Sequence, residues 1–264
     1  MAEIGKISGS QLALVLCVFR LSTLLVIKSI SLEQLVSELV ISVLLCAFVY
    51  AISSRVKVNK TLAYLVALFV LVIALSDAAE YFVFLSQTGR NEIPLWAIAL
   101  FLAAFSIYSA TMKIEAVSRF CAPAVIFCLV CFFAISLANI RNIELQNLTV
   151  MQSREIKPLY LLKCVDMPLV FLLLKDEKKK ENRKCLSVSL LISYSACFLL
   201  NLMCRATMGE SIKFYKHPVL VLFQLGEAGS FTKLDLMFPS VILILLLCEI
   251  ALALSLFYKV KKEW

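Results

Sequence analysis

Long apolar stretches recur along the whole chain, and they constrain the fold more than any other feature of the sequence. Leu62 to Leu75 and Val241 to Leu247, for example, contain no charged residue. With their flanks, such stretches approach the roughly 20 residues that a membrane-spanning helix requires. Hydrophobic residues make up 62% of the chain and charged residues 17%, with a mean hydropathy of +0.94, whereas soluble domains are about half apolar and a quarter charged. We therefore predict an all-α, polytopic membrane protein.

The hydrophobic pattern predicts a bundle of about eight transmembrane helices in one helical domain, residues 1–264. The predicted helices lie at about residues 11–30, 35–53, 61–86, 94–112, 120–139, 158–174, 185–207 and 238–258. A further apolar stretch, Pro218 to Leu225, is too short to span a bilayer. We therefore predict that residues 208–237 form an outer-face interfacial segment between the seventh and eighth helices.

Basic residues divide unevenly between the two sides that this segmentation creates. If the N-terminus is cytoplasmic, 15 Lys and Arg residues lie in inner segments and 9 in outer segments. The strongest basic run, Lys175 to Lys184, then falls on the cytoplasmic side, as the positive-inside rule requires. We therefore predict that both termini are cytoplasmic. The net charge of +8 comes from these dispersed loops and does not indicate a nucleic-acid partner, which calls for a basic stripe or patch.

Away from the helix ends, six ionisable residues lie within the predicted helices, where such groups are costly and are functional candidates. They are Arg20, Asp77, Glu80, Lys163, Asp166 and Glu249. Asp77 and Glu80 are three residues apart and therefore share one face of their helix. Two interpretations of this face stay open: a site for a coupling ion or a substrate amine, and an interhelical ion pair that fixes the packing.

Depth in the membrane predicts which of these charges pair. At about 1.5 Å of rise per residue, Arg20 and Glu249 both lie near the midplane of a core about 30 Å thick. An unpaired arginine at that depth costs about 2.5 to 3.5 kcal/mol. We therefore predict a structural ion pair between Arg20 and Glu249. Asp77 and Glu80 lie nearer the outer surface, so we predict that Lys28 faces one of them.

Pro168 is the unusual residue of the sixth predicted helix. Inside a helix, proline removes a hydrogen bond and breaks the backbone ladder, here near Asp166. Broken helices form the midplane sites of secondary transporters. The segment is also short, and a half-inserted helix with Lys163 and Asp166 near the outer headgroups is an equally compatible interpretation.

Catalytic and metal-binding motifs are missing from the sequence. It contains no G-x-S-x-G, no H-E-x-x-H and no phosphate-binding glycine loop. The lone His217 has no second ligand at suitable spacing, and the C-x-x-C of Cys128 and Cys131 lies in an apolar stretch without a nearby histidine. We therefore predict no enzymatic activity, no metal and no cofactor.

Several short stretches share motifs with a known family. Lys6-Ile-Ser-Gly-Ser-Gln11 matches K-I-S-x-x-Q at the start of helix one, and Ile114-Glu-Ala-Val-Ser-Arg119 is similar to G-x-E-x-x-x-R between helices four and five. Tyr215-Lys-His-Pro218 and Phe231-Thr-Lys-Leu-Asp235 are similar to the Y-P and f-x-R-x-D motifs before helix eight. In these motifs the chain resembles the spore germination permeases (GerAB), the B subunits of GerA-type spore germinant receptors. The motif positions are Glu115, Arg119, Pro218, Lys233 and Asp235.

The chain also departs from this family, which belongs to the amino acid/polyamine/organocation superfamily. The family resembles ten-helix transporters with two inverted five-helix repeats, whereas this chain has about eight predicted helices and resembles a form shortened at the C-terminus. Lys233 replaces the usual arginine. The glycine-rich break of helix one is replaced by a stretch that contains Ser22 and Thr23.

The resemblance implies a subunit of a germinant receptor in the spore inner membrane, which recognises a small germinant such as an amino acid. Its implied partners are the receptor's A and C subunits, besides the lipid bilayer. The candidate substrate-binding residues are Ser22, Thr23, Asp77, Glu80 and Asp166. Two alternatives come from other classes: a proton- or sodium-coupled amino-acid transporter, and a non-transporting membrane assembly protein.

Overall fold

The structure is a computed structural model that describes residues 8–26, 32–53, 59–88, 94–112, 114–149, 163, 165–174, 181–215, 217–226 and 237–263. Within these ranges the regular structure is helical. The α-helices are α1 (Gly9–Val26), α2 (Leu32–Ser53), α3 (Lys60–Thr88), α4 (Leu95–Thr111), α5 (Ile114–Ala138), α6 (Asp166–Leu174), α7 (Glu181–Met208), α8 (Pro218–Leu225) and α9 (Met237–Glu263). Short 3-10 helices follow α5 and α7 at Ile140–Asn142, Leu145–Thr149 and Gly209–Phe214.

Four helices of the described chain are long and apolar enough to cross a membrane. They are Lys60–Gln87, Ile114–Ala138, Lys184–Ile212 and Met237–Val260. Shorter apolar helices occur at Gly9–Ser22, Leu39–Val49 and Leu95–Thr111. The predicted all-α, polytopic membrane fold is therefore confirmed, and the protein is a multi-pass membrane protein.

Helices α1 and α9 form the centre of the bundle. In α9, 72% of the spanning window is buried, compared with 44% in each of the other three long spans. The helix packs against α3, α4, α5 and α1. The stretch from Leu12 to Ser22 of α1 is also almost completely buried. A helix that is apolar all round and buried all round belongs in the core of such a bundle.

Large apolar side chains cover the outside of the bundle. On α2, Leu44 and Phe48 are more than half exposed, as are Leu100 and Ile107 on α4. Soluble monomers rarely display apolar patches of this extent. On a membrane protein the same surface faces lipid, so these helices lie at the periphery.

One predicted segment differs from the structure. The Glu115 to Arg119 motif was expected between two helices, but it forms the first turns of α5, because α4 ends at Thr111 and α5 begins at Ile114. Pro168 lies in the first turn of α6, where its missing N–H has no helical partner to lose. Lys163 is helical and Val165 forms a turn before α6 begins at Asp166. The proline therefore follows this turn, and the predicted break of a longer helix near Asp166 stays a prediction, because residues 150–162 lie outside the described residues.

The start of α1 shows why its sequence motif forms a helix end. The Ser8 N–H donates to Oε1 of Gln11 at 3.1 Å, and the Gln11 N–H donates to Oγ of Ser8 at 3.3 Å. These reciprocal bonds are those of a capping box, which satisfies backbone N–H groups that have no partner inside the helix. The serine and glutamine of the K-I-S-x-x-Q motif therefore have a structural role.

Candidate functional site

Charged residues from four elements meet in the interior of the bundle. We call Arg20, Asp77, Lys163, Asp166 and Glu249 the buried charged cluster; their exposed fractions are between 0 and 5%. Four of them come from α1, α3, α6 and α9, and the fifth, Lys163, lies three residues before the start of α6. Charged side chains at such burial need partners or a function, so the cluster is the candidate site.

Lys163 joins the cluster to α3. Its ammonium donates to Oδ1 of Asp77 and, at 3.0 Å, to Oε1 of Glu80. Asp77 is fully buried, whereas the side chain of Glu80 is 30% exposed. Because residues three apart lie on the same face of a helix, both carboxylates reach the same ammonium. For this pair of acids, the interpretation as an interhelical ion pair agrees with the structure.

Lys163 and Asp166 are both inside the bundle. Both side chains are buried, with exposed fractions of 5% and 0%. Burial against protein is compatible with either depth in the membrane, so the interpretation as a half-inserted helix stays a prediction. Lys28, the predicted partner of Asp77 or Glu80, lies outside the described residues, so that contact stays a prediction.

Arg20 faces the other side of α1. Its guanidinium carbon lies 5.0 Å from the centre of the Tyr194 ring on α7, a distance typical of a cation–π contact. The Tyr194 hydroxyl shares a hydrogen bond of 2.7 Å with the Ser42 hydroxyl on α2. Three helices are therefore connected through one aromatic ring.

Asp166 and Arg20 approach the same point from different helices. Cys46 of α2 interacts electrostatically with both side chains. Asp166 also begins α6, so a fully buried carboxylate lies at a helix N-terminus, where the helix dipole stabilises negative charge. This arrangement places a helix end inside the bundle instead of at its surface.

Glu249 differs from the other acids of the cluster. It lies near the middle of α9 and is fully buried, and neither carboxylate oxygen accepts a hydrogen bond from the described residues. Asp77, Asp166 and Lys163 act on it electrostatically, and the Ser22 side chain lies beside it. The Ser22 hydroxyl, however, donates to the carbonyls of Val18 and Phe19 at 2.9 and 3.0 Å. A buried acceptor without a hydrogen-bond partner is an exception that requires an explanation.

The predicted ion pair between Arg20 and Glu249 is not formed in the structure. Neither oxygen of Glu249 has a hydrogen-bond partner among the described residues, and the arginine faces Tyr194. Arg20 and Ser22 are two residues apart, which rotates them by about 200° around α1. Because Ser22 faces Glu249, Arg20 points to the opposite side. Matching depths were therefore insufficient to predict the pair.

The structure brings together only part of the predicted substrate site. Ser22, Asp77 and Asp166 are all fully buried around Glu249, and Glu80 joins them through Lys163. The side chain of Thr23 lies outside the described residues. Sequence analysis assigned Glu249 to a structural pair, whereas in the structure it is the acid with available acceptor atoms.

The family-motif residues either lie away from the buried charged cluster or fall outside the described residues. Arg119 donates to Glu115 at 2.6 Å across one turn of α5, and the Arg119 side chain is 67% exposed, which indicates a surface ion pair of small energetic value. Pro218 is the first residue of α8, the position where proline is favoured. Lys233 and Asp235 lie outside the described residues.

A second buried polar region holds α8 against the bundle, and we call it the α8 anchor. The Asn139 side chain donates to the carbonyls of Ile135 and Leu222 at 2.9 and 3.0 Å, and Asn142 donates to the Leu225 carbonyl at 3.3 Å. His217 and Phe84 pack edge to face at 4.6 Å between ring centres. The outer-face placement of residues 208–237 stays a prediction, but their helix is packed on the bundle.

The side chains that position these charges were not predicted from the sequence. Tyr194, Ser42 and Cys46 come from helices that carry no charge at that depth, so no intramembrane charge marked them. Asn139 follows the last residue of α5, and an amide at a helix end is a signal that could have identified the α8 anchor, because asparagine commonly satisfies backbone groups there.

Comparison with known proteins gives one match. No curated protein and no solved structure matches the chain, so a five-plus-five repeat architecture stays a prediction. A sequence model for a family described as spore germination protein matches residues 55–263, which is more than half of the chain. This range includes four members of the buried charged cluster and the Glu115 and Pro218 motifs. The chain therefore belongs to the spore germination protein family, the permease family that its motifs resembled.

Proposed function

We propose that this protein is the membrane subunit of a germinant receptor and that its buried charged cluster recognises a small zwitterion such as an amino acid. The observation that carries the proposal is the fully buried Glu249 carboxylate, whose oxygens accept no hydrogen bond from the described residues. A ligand ammonium would supply the missing donors. Hydrogen bonds to a charged group contribute about 1.5–3 kcal/mol each.

The surroundings of Glu249 support a ligand that carries both charges. The cation Lys163 and the acids Asp77 and Asp166 act on Glu249, whereas Arg20 faces Tyr194 on the other side of α1. A compact zwitterion adds no net charge to such a site, whereas a simple cation or anion changes the net charge of the site. The fixed Lys163 contact with Asp77 and Glu80 holds the surrounding charges in place, as a preorganised binding site requires.

Direct binding of labelled amino acids to the purified protein tests this proposal. We expect Glu249→Gln to weaken binding by about tenfold to a hundredfold, because one charged hydrogen bond is lost. Glu115→Gln is the matched control, since it makes the same change at the surface pair of α5, and it should bind like the wild type. Binding that is equal in all three proteins would contradict a role of Glu249 in recognition.

Spore germination tests the biological role. Spores that lack the gene should fail to respond to one class of amino acids, and the wild-type gene should restore the response while the gene with Glu249→Gln should not. The proposal also includes A and C partner subunits, a location in the spore inner membrane and cytoplasmic termini. Co-purification with a soluble-headed subunit and a lipoprotein, and labelling of a cysteine introduced at Lys180, test these parts.

One observation favours a proton- or sodium-coupled transporter as a second candidate. Asp166 begins the short α6 while it is fully buried, and transporters use half-helix ends of this kind at their binding sites. Uptake into proteoliposomes distinguishes the two functions. Accumulation of a labelled amino acid against its gradient would replace the receptor proposal, whereas binding without uptake supports it.

A further inference from the structure

A long groove between α2 and α7 lies on the outside of the bundle. Its volume is about 1210 Å³, compared with roughly 300–1,000 Å³ for a typical small-molecule pocket. Apolar side chains such as Leu39, Val43, Leu191 and Phe198 form most of its lining. The groove therefore suits an apolar occupant that is larger than a germinant.

The groove follows the membrane-spanning part of α7. Its lining on this helix extends from Lys184 to Leu202, which corresponds to about 27 Å at 1.5 Å per residue. The hydrocarbon core of a bilayer is about 30 Å thick. Because the groove lies within this thickness, lipid or another protein covers it, and bulk water does not.

Charge distinguishes one end of the groove from the other. Lys184 is the one charged residue among the lining residues, and it is exposed. In the sequence it ends the run from Lys175 to Lys184, in which six basic residues outnumber three acidic residues. An anionic group is therefore favoured at this end, close to the membrane surface, where basic residues attract anionic lipid headgroups.

We propose that the part of the groove between Lys184 and Tyr194 binds an anionic glycerophospholipid. Its phosphate lies at Lys184 and one acyl chain follows the apolar lining toward Tyr194. These two positions are ten residues apart in sequence, which corresponds to about 15 Å, half of the hydrocarbon core and thus the depth of one leaflet. The cation at the mouth favours the anionic headgroup of a lipid over an apolar partner helix.

The inner end of this lipid site adjoins the buried charged cluster. Tyr194 and Cys46 line the groove. Behind them, the Tyr194 ring lies 5.0 Å from the Arg20 guanidinium carbon, and Cys46 interacts electrostatically with Arg20 and Asp166. One layer of side chains therefore separates the acyl chain from the cluster, so a bound lipid contacts the residues that position Arg20.

Native mass spectrometry of the purified full chain with equal amounts of phosphatidylglycerol and phosphatidylcholine tests the proposal. We expect about fivefold preferential retention of phosphatidylglycerol, which corresponds to about 1 kcal/mol for one lysine near the headgroup. Lys184→Gln should reduce this preference to about one. Ala47→Trp and Val43→Trp place a ring in the groove and should reduce the retention of both lipids.

Leu100→Trp is the matched control, because it adds the same ring to an exposed apolar position of α4 outside the groove. It should retain lipid like the wild type. Equal retention of the two lipids by the wild type, or an unchanged preference in Lys184→Gln, would overturn the headgroup assignment. Unchanged retention in a folded Val43→Trp variant would overturn the groove as the site. Crosslinking of a cysteine at Leu191 to a second copy or a partner helix would replace the lipid by a protein occupant.

Discussion

The α8 anchor and the buried charged cluster are both polar and buried, but they satisfy their polar groups differently. In the α8 anchor, the amide of Asn139 donates to two backbone carbonyls, and one of them, that of Leu222, belongs to α8. In the cluster, Lys163 contacts two carboxylates, whereas the oxygens of Glu249 accept no hydrogen bond from the described residues. Leaving a buried group unsatisfied costs about 1–3 kcal/mol, and more for a charged group. The anchor therefore satisfies its polar groups within the fold, whereas Glu249 has acceptor atoms that the proposed ligand would use.

The largest effect that tests this comparison is expected at Lys163. Lys163→Met removes the ammonium that Asp77 and Glu80 both contact, and breaking a buried ion pair costs about 3–5 kcal/mol. Thermal unfolding of the detergent-solubilised protein measures the loss. Lys163→Met combined with Asp77→Asn should recover part of it, because the second change removes the unpaired charge. A single variant as stable as the wild type would show that the pair does not hold the fold.

A smaller loss of stability is expected at the α8 anchor. Asn139→Leu removes both amide hydrogen bonds and leaves the Leu222 carbonyl without this donor, which should cost about 1–3 kcal/mol. Asn142→Ala is the matched control, since this exposed residue makes longer bonds and should cost less. Limited proteolysis near α8 together with thermal unfolding gives the readout. Equal stability of the two variants would show that Asn139 does not anchor the helix.

The capping box of α1 should contribute less to the stability of the protein than the α8 anchor does. Ser8→Ala removes the hydroxyl that accepts from the Gln11 N–H, and losing such a cap typically costs about 1 kcal/mol. Ser10→Ala removes the 3.1 Å hydrogen bond between the Ser10 and Ser8 hydroxyls but no bond to a backbone N–H, and it should have a smaller effect. Hydrogen exchange of the first turn of α1 measures the difference. Identical exchange in the two variants would contradict the capping role of the motif.

The smallest effect on stability is expected at Glu249. Glu249→Gln preserves the size and shape of the side chain and removes a buried charge whose oxygens accept no hydrogen bond from the described residues, and burying such a charge is itself costly. Thermal unfolding should therefore show no loss, although the same variant should bind the proposed ligand more weakly. A loss as large as that of Lys163→Met would indicate that Glu249 has a structural partner. That result would remove the contrast between the two regions.

The helices could be predicted closely because hydrophobicity along the chain reports them directly. The last helix, for example, was predicted at 238–258 and is found at Met237–Glu263. The start of α5 was missed because its first turns carry the polar pair Glu115 and Arg119. A polar but helical turn lowers the local hydropathy without ending the helix.

The site was predicted only in part, because sequence gives the depth of a residue but not the direction of its side chain. Asp77 and Glu80 were placed on one face correctly, since three residues fix their relative direction within one helix. The Arg20 and Glu249 pair required the rotation of two separate helices, and the structure turns Arg20 toward Tyr194. Tyr194 and Cys46 had no signal of their own in the sequence.

The sequence by itself determined that this chain spans a membrane by helices and which ionisable residues lie within them, because both follow from local hydrophobicity and spacing. Only the tertiary structure decided that Lys163, far from α3 in the chain, contacts Asp77 and Glu80, and that Glu249 keeps both acceptor oxygens available within the described residues. These outcomes depend on how the helices rotate and pack. Packing is set by many contacts between distant parts of the chain, and none of them is encoded in a single stretch of sequence.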